Sequence, residues 1–531
     1  MIKNSTVGYR PKIYSKDNLD CPVIADVDVL VIGGSQSGVA AAVSAARAFK
    51  SLNHDAKILL VEQNNYLGGQ SVTNMVTQWE IHAFRQNVGK WQIKGIGIEM
   101  VERIVALGGS DKLWEDLVSL NRQEDVEWPF LGPDRRIIGE ESLNVEAIKL
   151  GLQEMCLDEG VELLLDTRAV AAIGSAEKKK PSGKLGELPG CELPVDIIAQ
   201  AEGAIVEHYS GRGAILAKCV IDASANGIMP WWLGGLDGCT VNPATKRGLT
   251  QSYIWIGGAD MEKLVNYFLS LPEGDFEVYP NDPDQLRKHA ETGRLIYFKS
   301  KKIGAPVEVF DEAEENEDLD ILFKSDFIVG GFYLKWVGNY PGHGVFALDG
   351  PYYREDSLDG QIWTSEHVRN IFGSWGMYRV VRHIPGFENA YIARTCERMG
   401  LRTTRIPKGI YKITGDDLKD HAEHLDAIGV GDWHDRTEIG DTGKWGYQIP
   451  LRALVSNTID GLLFCARSVS FGPGAMNAHR GIGTTIVCGQ GAGVGAAVAV
   501  ATEVQPRDVD VKKVQDILKE QDVIFKIPEA V

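Results

Sequence analysis

The sequence predicts an α/β protein: a Rossmann-like dinucleotide-binding domain with an inserted α+β domain. Three observations predict it. Residues 27–62 read strand, glycine turn, helix, strand, acid. At 531 residues the chain is too long for one simple core, so two domains or three lobes are expected. Between about 240 and 450 the pattern becomes mixed, richer in aromatics and Pro/Gly turns. The domain assignment is 1–235 and 455–531 for the two parts of the cofactor domain and 236–454 for the substrate domain.

The first unit carries the ligand class. Val27-Asp28-Val29-Leu30-Val31-Ile32 reads as a buried strand and Gly33-Gly34-Ser35-Gln36-Ser37-Gly38 as the turn. Val39 through Arg47 reads as a helix, and Ile58-Leu59-Leu60-Val61 as a second strand closing on Glu62. The free N–H groups of the helix start, with the helix dipole, favour a pyrophosphate. Ala40, Ala41 and Ala42 let the helix sit close to the sheet, and Glu62 is placed to accept hydrogen bonds from ribose hydroxyls. Ser35 replaces the middle glycine of G-x-G-x-x-G; it can hold the turn if its φ is negative, and its hydroxyl is then within reach of a phosphate.

Further elements follow in order. Residues 89–120 carry helical periodicity with Ile98, Met100, Val101, Ile104 and Val105 inward, and 145–158 reads as a second amphipathic helix. Residues 161–166 read as a strand, 174–192 as a polar excursion around Lys178-Lys179-Lys180, and 203–209 and 214–223 as two more strands. The acidic run 311–320 reads as a solvated loop. A net charge of −18 argues against nucleic acid or an anionic membrane as a main partner. The eight cysteines form no C-x-x-C pair and sit mostly in apolar runs, which reads as reduced and buried. The N-terminus has no apolar h-region, and the Gly/Ala-rich stretch 487–500 is too short to span a bilayer. A cytoplasmic protein is expected.

Several later pieces line up with the first unit. Gln63-Asn64-Asn65-Tyr66-Leu67-Gly68-Gly69-Gln70-Ser71 follows Glu62, and Lys218 through Ala225 forms a later strand end. The segment Ala393-Arg394-Thr395-Cys396-Glu397-Arg398-Met399-Gly400-Leu401-Arg402-Thr403-Thr404-Arg405 comes next. Gly461 through Ser468 leads to His479-Arg480-Gly481-Ile482-Gly483-Thr484 and Gly489-Gln490-Gly491-Ala492-Gly493. This succession resembles the FAD-dependent oxidoreductases of the glutathione-reductase-like, two-dinucleotide-binding-domain superfamily, over about half the chain. The resemblance implies an FAD/NAD(P)-binding fold with FAD as cofactor. It implies contacts from the turn 33–38, from Glu62 and Gln63, and from Gly68, Gly69, Gln70 and Ser71. Val170 would lie on the adenine side, and Ala223 and Ser224 beside the cofactor. Arg467, Gly481, Ile482, Gly483 and Thr484 would complete the site, the helix start there facing the flavin pyrimidine edge.

Departures from the family pattern narrow the chemistry. Gln70-Ser71-Val72-Thr73-Asn74-Met75 holds no cysteine pair, so dithiol relay is not expected. Arg467 stands near where aromatic hydroxylases of the superfamily carry an Asp, which weakens a monooxygenase reading. Gly489 through Val494 lacks an acid-terminated second strand and reads as a packing helix, so NAD(P)H is not required as electron partner.

Five residues are candidates for chemistry. His479 and Arg480 precede the last helix: His479 could exchange a proton, or be a structural histidine, and Arg480 could partner an anion or the flavin. Arg402 and Arg405 could clamp a carboxylate or be ion-paired, and His343 lies in a glycine loop. His421 and His424 at i,i+3 could hold a metal, but no third ligand is placed and a solvated face is the simpler reading; no metal is expected. Trp231 and Trp232 could wall the pocket or pack an interface.

The expected activity is hydride transfer between flavin and a small organic substrate; an alcohol, a polyol or a carboxylate-bearing compound is compatible with these residues. The alternatives are a flavin monooxygenase using NAD(P)H and oxygen, and a non-enzymatic flavin-binding protein. The electron acceptor or donor is open, as is a homo-oligomeric state.

Overall fold

The computed structural model describes residues 21–77, 79, 93–110, 143–181, 183–192, 194, 196–241, 250–271, 276–279, 282–292, 297–300, 333–336, 346–353, 358–401, 404–431, 446–472 and 474–527. The run 311–320, His343 and Arg402 lie outside the described residues.

The expected first unit forms as β1 (Val23–Ile32), α1 (Gln36–Ser51) and β2 (Ile58–Val61). Three helices follow, α2 (Gly69–Thr73), α3 (Ile96–Ala106) and α4 (Val145–Asp158), and then β3 (Glu162–Leu164). β4 (Arg168–Lys179), β5 (Ile197–His208) and β6 (Gly211–Asp222) make an antiparallel meander. Helix α5 (Ile228–Gly238) and the short β7 (Cys239–Val241) come next.

A second sheet is antiparallel throughout. Its strands are β8 (Thr250–Gly257), β9 (Phe276–Tyr279), β10 (Tyr297–Ser300), β11 (Tyr333–Trp336), β12 (Phe346–Tyr353) and β13 (Tyr391–Thr395), in the spatial order β13-β8-β12-β11-β10-β9. Helices α6 (Met261–Ser270), α7 (Pro283–Thr292) and α8 (Gly360–Val381) accompany it.

The chain then returns. β14 (Arg405–Pro407) pairs with β7, α9 (Gly415–Lys419) follows, and β15 (Ala427–Gly431) pairs with β16 (Tyr447–Pro450). β17 (Ile459–Asp460) and β18 (Leu462–Phe464) join the first sheet beside β5 and β6. The short α10 (Met476–His479) leads into α11 (Ile482–Ala501), and α12 (Val511–Glu520) closes the described fold. Ile410, Ile413, Ile428, Tyr447 and Ile449 pack into the larger core, so part of 236–454 is built onto the cofactor sheet.

The parallel order β18-β6-β1-β2-β3 explains the uninterrupted apolar run of β1. Val29 and Val31 enter the core beneath α1 and α11, while Leu30 and Ile32 enter a second core with Met229 and Ile459 on the opposite face. A strand covered on both faces loses the polar alternation of a half-exposed one. Strand β8 does the same for the second sheet: Ile254 and Ile256 face its helices, and Tyr253 and Trp255 face the larger core.

Helices α1 and α11 touch backbone to backbone. A Cβ on Gly489 would lie 2.1 Å from the Ser37 carbonyl oxygen, and one on Gly493 would lie 2.1 Å from that of Ala41. The equal steps along both helices mean that they run parallel, with both N-termini at one end. Ser37 locks that end: its hydroxyl donates to the Thr485 carbonyl at 2.6 Å and accepts from the Ala466 N–H at 2.8 Å. At 20 residues α11 is longer than the stretch 487–500 suggested, and apolar enough by length and composition to cross a membrane. It is instead buried inside the protein, 89% of its most apolar window.

The polar excursion is also more ordered than expected. β4 continues to Lys179, whose Nζ lies 2.6 Å from the buried Asp460 Oδ2. Arg507 Nε donates to Asp460 Oδ1 at 2.6 Å, and its NH2 donates to the Ser456 carbonyl at 3.1 Å. All eight cysteines are unpaired, five of them buried.

Two substitutions check this packing. Gly489→Ala should lower unfolding free energy by about 1–3 kcal/mol in urea titrations, despite alanine's better helix propensity, because the added Cβ has no room. Gly495→Ala, whose Cβ would meet Leu451 Cδ1 at 3.2 Å, should cost less. Asp460→Ala should cost about 3–5 kcal/mol by stranding Arg507 in the core.

Candidate functional site

A cavity of about 360 Å³ opens at the carboxyl ends of β1, β2, β6 and β18. Ligands of open parallel sheets bind at this edge. One wall is the turn after β1. Gly33 has φ +113°, and a Cβ there would lie 2.6 Å from the Ala223 carbonyl oxygen, so only glycine fits between the two strand ends. Ser35 is the N-cap of α1 with φ −70°, satisfying the condition that its place in the turn sets. Its side chain makes no capping bond, and its Oγ is buried without a hydrogen-bond partner among the described residues. A Cβ on Gly69 would come 2.7 Å from the Ser35 Cβ, so the two form a tight cradle. An unsatisfied hydroxyl, a helix start and a glycine cradle together fit a dinucleotide's diphosphate.

Glu62 anchors the second wall. Its Oε2 accepts from the Gly34 N–H at 2.6 Å, and its Oε1 from the Asn64 N–H at 2.9 Å and Nδ2 at 2.7 Å. Burial pushes its carboxyl above the ordinary carboxylate range, against the pull of these donors and of Arg398. Asp222 holds the neighbouring strand end: its carboxylate accepts from the Ser224 and Met229 N–H groups, each at 2.9 Å.

The remaining walls come from distant segments. Residues 398–401 arrive from beyond β13, and the Arg398 N–H bonds to the Thr73 carbonyl at 3.2 Å. Arg467 follows Ala466, itself left-handed at φ 62°, and Arg480 precedes α11. Asn226, Ile228 and Trp232 close the far end.

Most of the residues expected to hold a cofactor meet here. Gly33, Gly34, Ser35, Gln36, Glu62, Gln63, Gly69 and Gln70 line the cavity, as do Ala223, Ser224, Arg467 and Ile482. Ser37, Gly38, Gly68, Ser71, Gly481, Gly483 and Thr484 do not line it. Ser37 and Gly38 lie just behind the turn, and Ser71 is engaged by the Gln36 and Trp79 side chains. Val170 is also off the wall, whereas its neighbours Thr167, Arg168 and Ala169 line it.

Of the candidates for chemistry, Arg480 alone among the described residues reaches the cavity. His479 does not. The single turn of α10 rotates it into the core, where it is 0% exposed between Phe471, Tyr447 and Cys488. The Tyr447 hydroxyl lies 3.0 Å from its Nδ1 and the Cys488 sulfur 3.5 Å from its Nε2. Burial drives its pKa down to about 3, which favours the neutral ring, and it does not line the cavity. Arg405 sits one layer behind the cavity, 4.9 Å over the Trp231 ring, with NH1 donating to the Asn226 carbonyl at 3.4 Å.

His421 and His424 do not form a solvated face. His421 Nδ1 lies 2.8 Å from the Gly446 carbonyl, and His424 Nδ1 lies 3.1 Å from Arg452 NH2. No group of three or more metal-binding side chains occurs among the described residues. Sequence reasoning passed over Arg398 and Asn226. Arg398 was visible only as part of a longer motif; Asn226 carried no signal beyond its place after a strand end.

The buried histidine sets a pH signature. Neutral in the fold, His479 gains a proton only on unfolding below about pH 6.5, so its contribution to stability is lost as pH falls. Between pH 7 and pH 5 the parent should lose about 2 kcal/mol more unfolding free energy than His479→Gln. Equal losses in urea titrations would mean that the ring is protonated in the native state.

Similar solved structures are of low identity. A geranylgeranyl bacteriochlorophyll reductase-like protein from Thermoplasma acidophilum matches at 12% identity over 94% of this chain and 82% of that one, with a TM-score of 0.38. A p-nitrophenol 4-monooxygenase from Pseudomonas putida DLL-E4 matches at 9% identity over 94% and 85%, with a TM-score of 0.37. A flavocytochrome c3 fumarate reductase matches at 13% identity over 90% and 79%, with a TM-score of 0.33. Scores this low carry no argument about chemistry. A search of curated protein sequences finds no match. The family described as FAD dependent oxidoreductase matches residues 28–518, nearly the whole described chain. The glycine turn, the Ser35 cradle and Glu62 therefore stand in a protein that belongs to the FAD-dependent oxidoreductase family.

Proposed function

We propose that the protein passes a hydride between FAD and a small organic substrate that meets the cofactor directly in the cleft. The observation behind this reading is that one cavity takes in both the dinucleotide turn and residues 398–401 from beyond the second sheet. A ligand there would touch both parts of the protein at once. FAD supplies the two-electron chemistry, and the chain supplies binding and orientation. The turn 33–36 and the Ser35 hydroxyl would hold the diphosphate, and Glu62 a ribose. No cysteine lines the cavity among the described residues, and Gln70 and Ser71 stand where a dithiol relay would need thiols.

Anaerobic mixing tests the reading. Candidate alcohols, polyols and carboxylates are added to the holoprotein without nicotinamide, and one class is expected to bleach the visible flavin band. Bleaching by NADPH alone, followed by oxygen uptake and an oxygenated product, would replace this reading with a monooxygenase. A flavin that even dithionite leaves oxidised would make the protein a flavin carrier. Glu62→Ala should raise the FAD Kd about 10-fold or more in equilibrium dialysis, from loss of a charged acceptor worth about 1.5–3 kcal/mol.

A further inference from the structure

The wall formed by residues 398–401 is fastened to the cofactor side through one acidic side chain. Glu397 stands between β13 and that wall, with its side chain 47% exposed. Its Oε2 accepts from the hydroxyl of Tyr66, which lies just ahead of α2. Its Oε1 accepts from Arg394 NH2 at 2.7 Å. The Glu397 N–H donates to the Thr73 carbonyl at 2.7 Å, and the Arg398 N–H donates to the same oxygen at 3.2 Å. Arg394 extends the seam to α2 and α4: its NH2 also donates to the Val72 carbonyl at 3.4 Å, and its NH1 lies 3.6 Å from Glu146 Oε1. Lys149 Nζ lies 4.6 Å over the Tyr66 ring and 3.0 Å from Glu146 Oε1. Burial and the Glu397 carboxylate raise the Tyr66 phenol above its ordinary pKa, so it keeps the proton it donates.

Ion pairs this exposed are screened by water and salt and contribute little to global stability. Their effect is local. Two backbone bonds to one carbonyl oxygen leave the segment free to pivot about it. Tyr66 and Arg394, arriving on the two oxygens of one carboxylate, remove that freedom. Arg398, the next residue, lines the cavity, and its charge favours the ionised form of Glu62. Tyr66, Arg394 and Glu397 do not line the cavity themselves, so they act on a ligand through residues 398–401.

We propose that Glu397 is a positioning residue for the cofactor: with Tyr66 and Arg394 it holds residues 398–401 in place against bound FAD. This rests on the cavity being the FAD site, as the reading above does, and not on which substrate exchanges the hydride.

The test combines the FAD Kd with amide hydrogen exchange of the FAD-loaded protein, followed by mass spectrometry at saturating FAD. Glu397→Ala should raise the FAD Kd about fivefold or more. Amides of residues 397–401 should then exchange faster, while those of α1 and α11 keep the parent's rates. Tyr66→Phe, which removes one hydroxyl, should move both readouts the same way by less. Glu397→Gln, which keeps a neutral acceptor for Tyr66 and loses the charge facing Arg394, should fall between parent and Glu397→Ala. Parent-like FAD affinity in Glu397→Ala would overturn the proposal. So would faster exchange spread equally over α1 and α11, which marks a general loss of stability. If Glu397→Ala does not fold, Tyr66→Phe decides by the same two outcomes. Failure of the hydride reading looks different: the variants behave as expected, yet no donor reduces the flavin.

Discussion

The close approach of α1 and α11 sets the geometry of everything at the cleft. Gly489 and Gly493 bring the helix backbones together where any side chain would hold them apart. Because the helices run parallel, both positive ends arrive at one edge of the sheet. Ser37 then ties that edge to residue 466 and the first turn of α11 through two hydrogen bonds. Arg467 and Arg480 owe their positions to this junction, one following its strand partner and the other preceding its helix. A change in helix spacing would move the diphosphate cradle and the arginines against each other.

The second sheet is bound to this frame rather than appended to it. Strand β8 gives alternate side chains to two cores, and the Tyr253 N–H donates to the Asn74 Oδ1 at 3.2 Å, just past α2. Residues 398–401 then lie against α2 through the Thr73 carbonyl, which accepts from the N–H groups of Glu397 and Arg398. The segment that faces the ligand is positioned from the cofactor side. Sequence patterning divides the chain by composition; packing divides it by which face of a strand meets which helix.

The cofactor side of the site was legible because its signals are local. A glycine turn between a buried strand and a helix must be contiguous, and Glu62 must end the next parallel strand. The turn was read from its spacing, Gly69, Ala223, Arg467 and Ile482 from the family resemblance, and all of them line one cavity. Side-chain direction was not legible in short elements. His479 and Arg480 are adjacent, yet one turn of helix sends the first into the core and the second into the cleft. Lys179 looked solvated within a basic triplet because its partner, Asp460, lies far along the chain. His421 and His424 kept their helical spacing in sequence, but α9 ends at Lys419, and each ring finds its own partner. Local pattern fixes which residues form an element; distant contacts fix where each side chain goes.

The α1–α11 contact also has a history during synthesis. Its two halves lie far apart in the sequence, so α1 leaves the ribosome long before the helix that covers it exists. Until then the small-residue face of α1 and one side of β1 have no native cover. Long-range contacts of this kind form late and expose apolar surface meanwhile. The cofactor cradle is therefore translated well before it can be completed, and a nascent chain stopped short of α11 carries the whole glycine turn without the support that gives it shape.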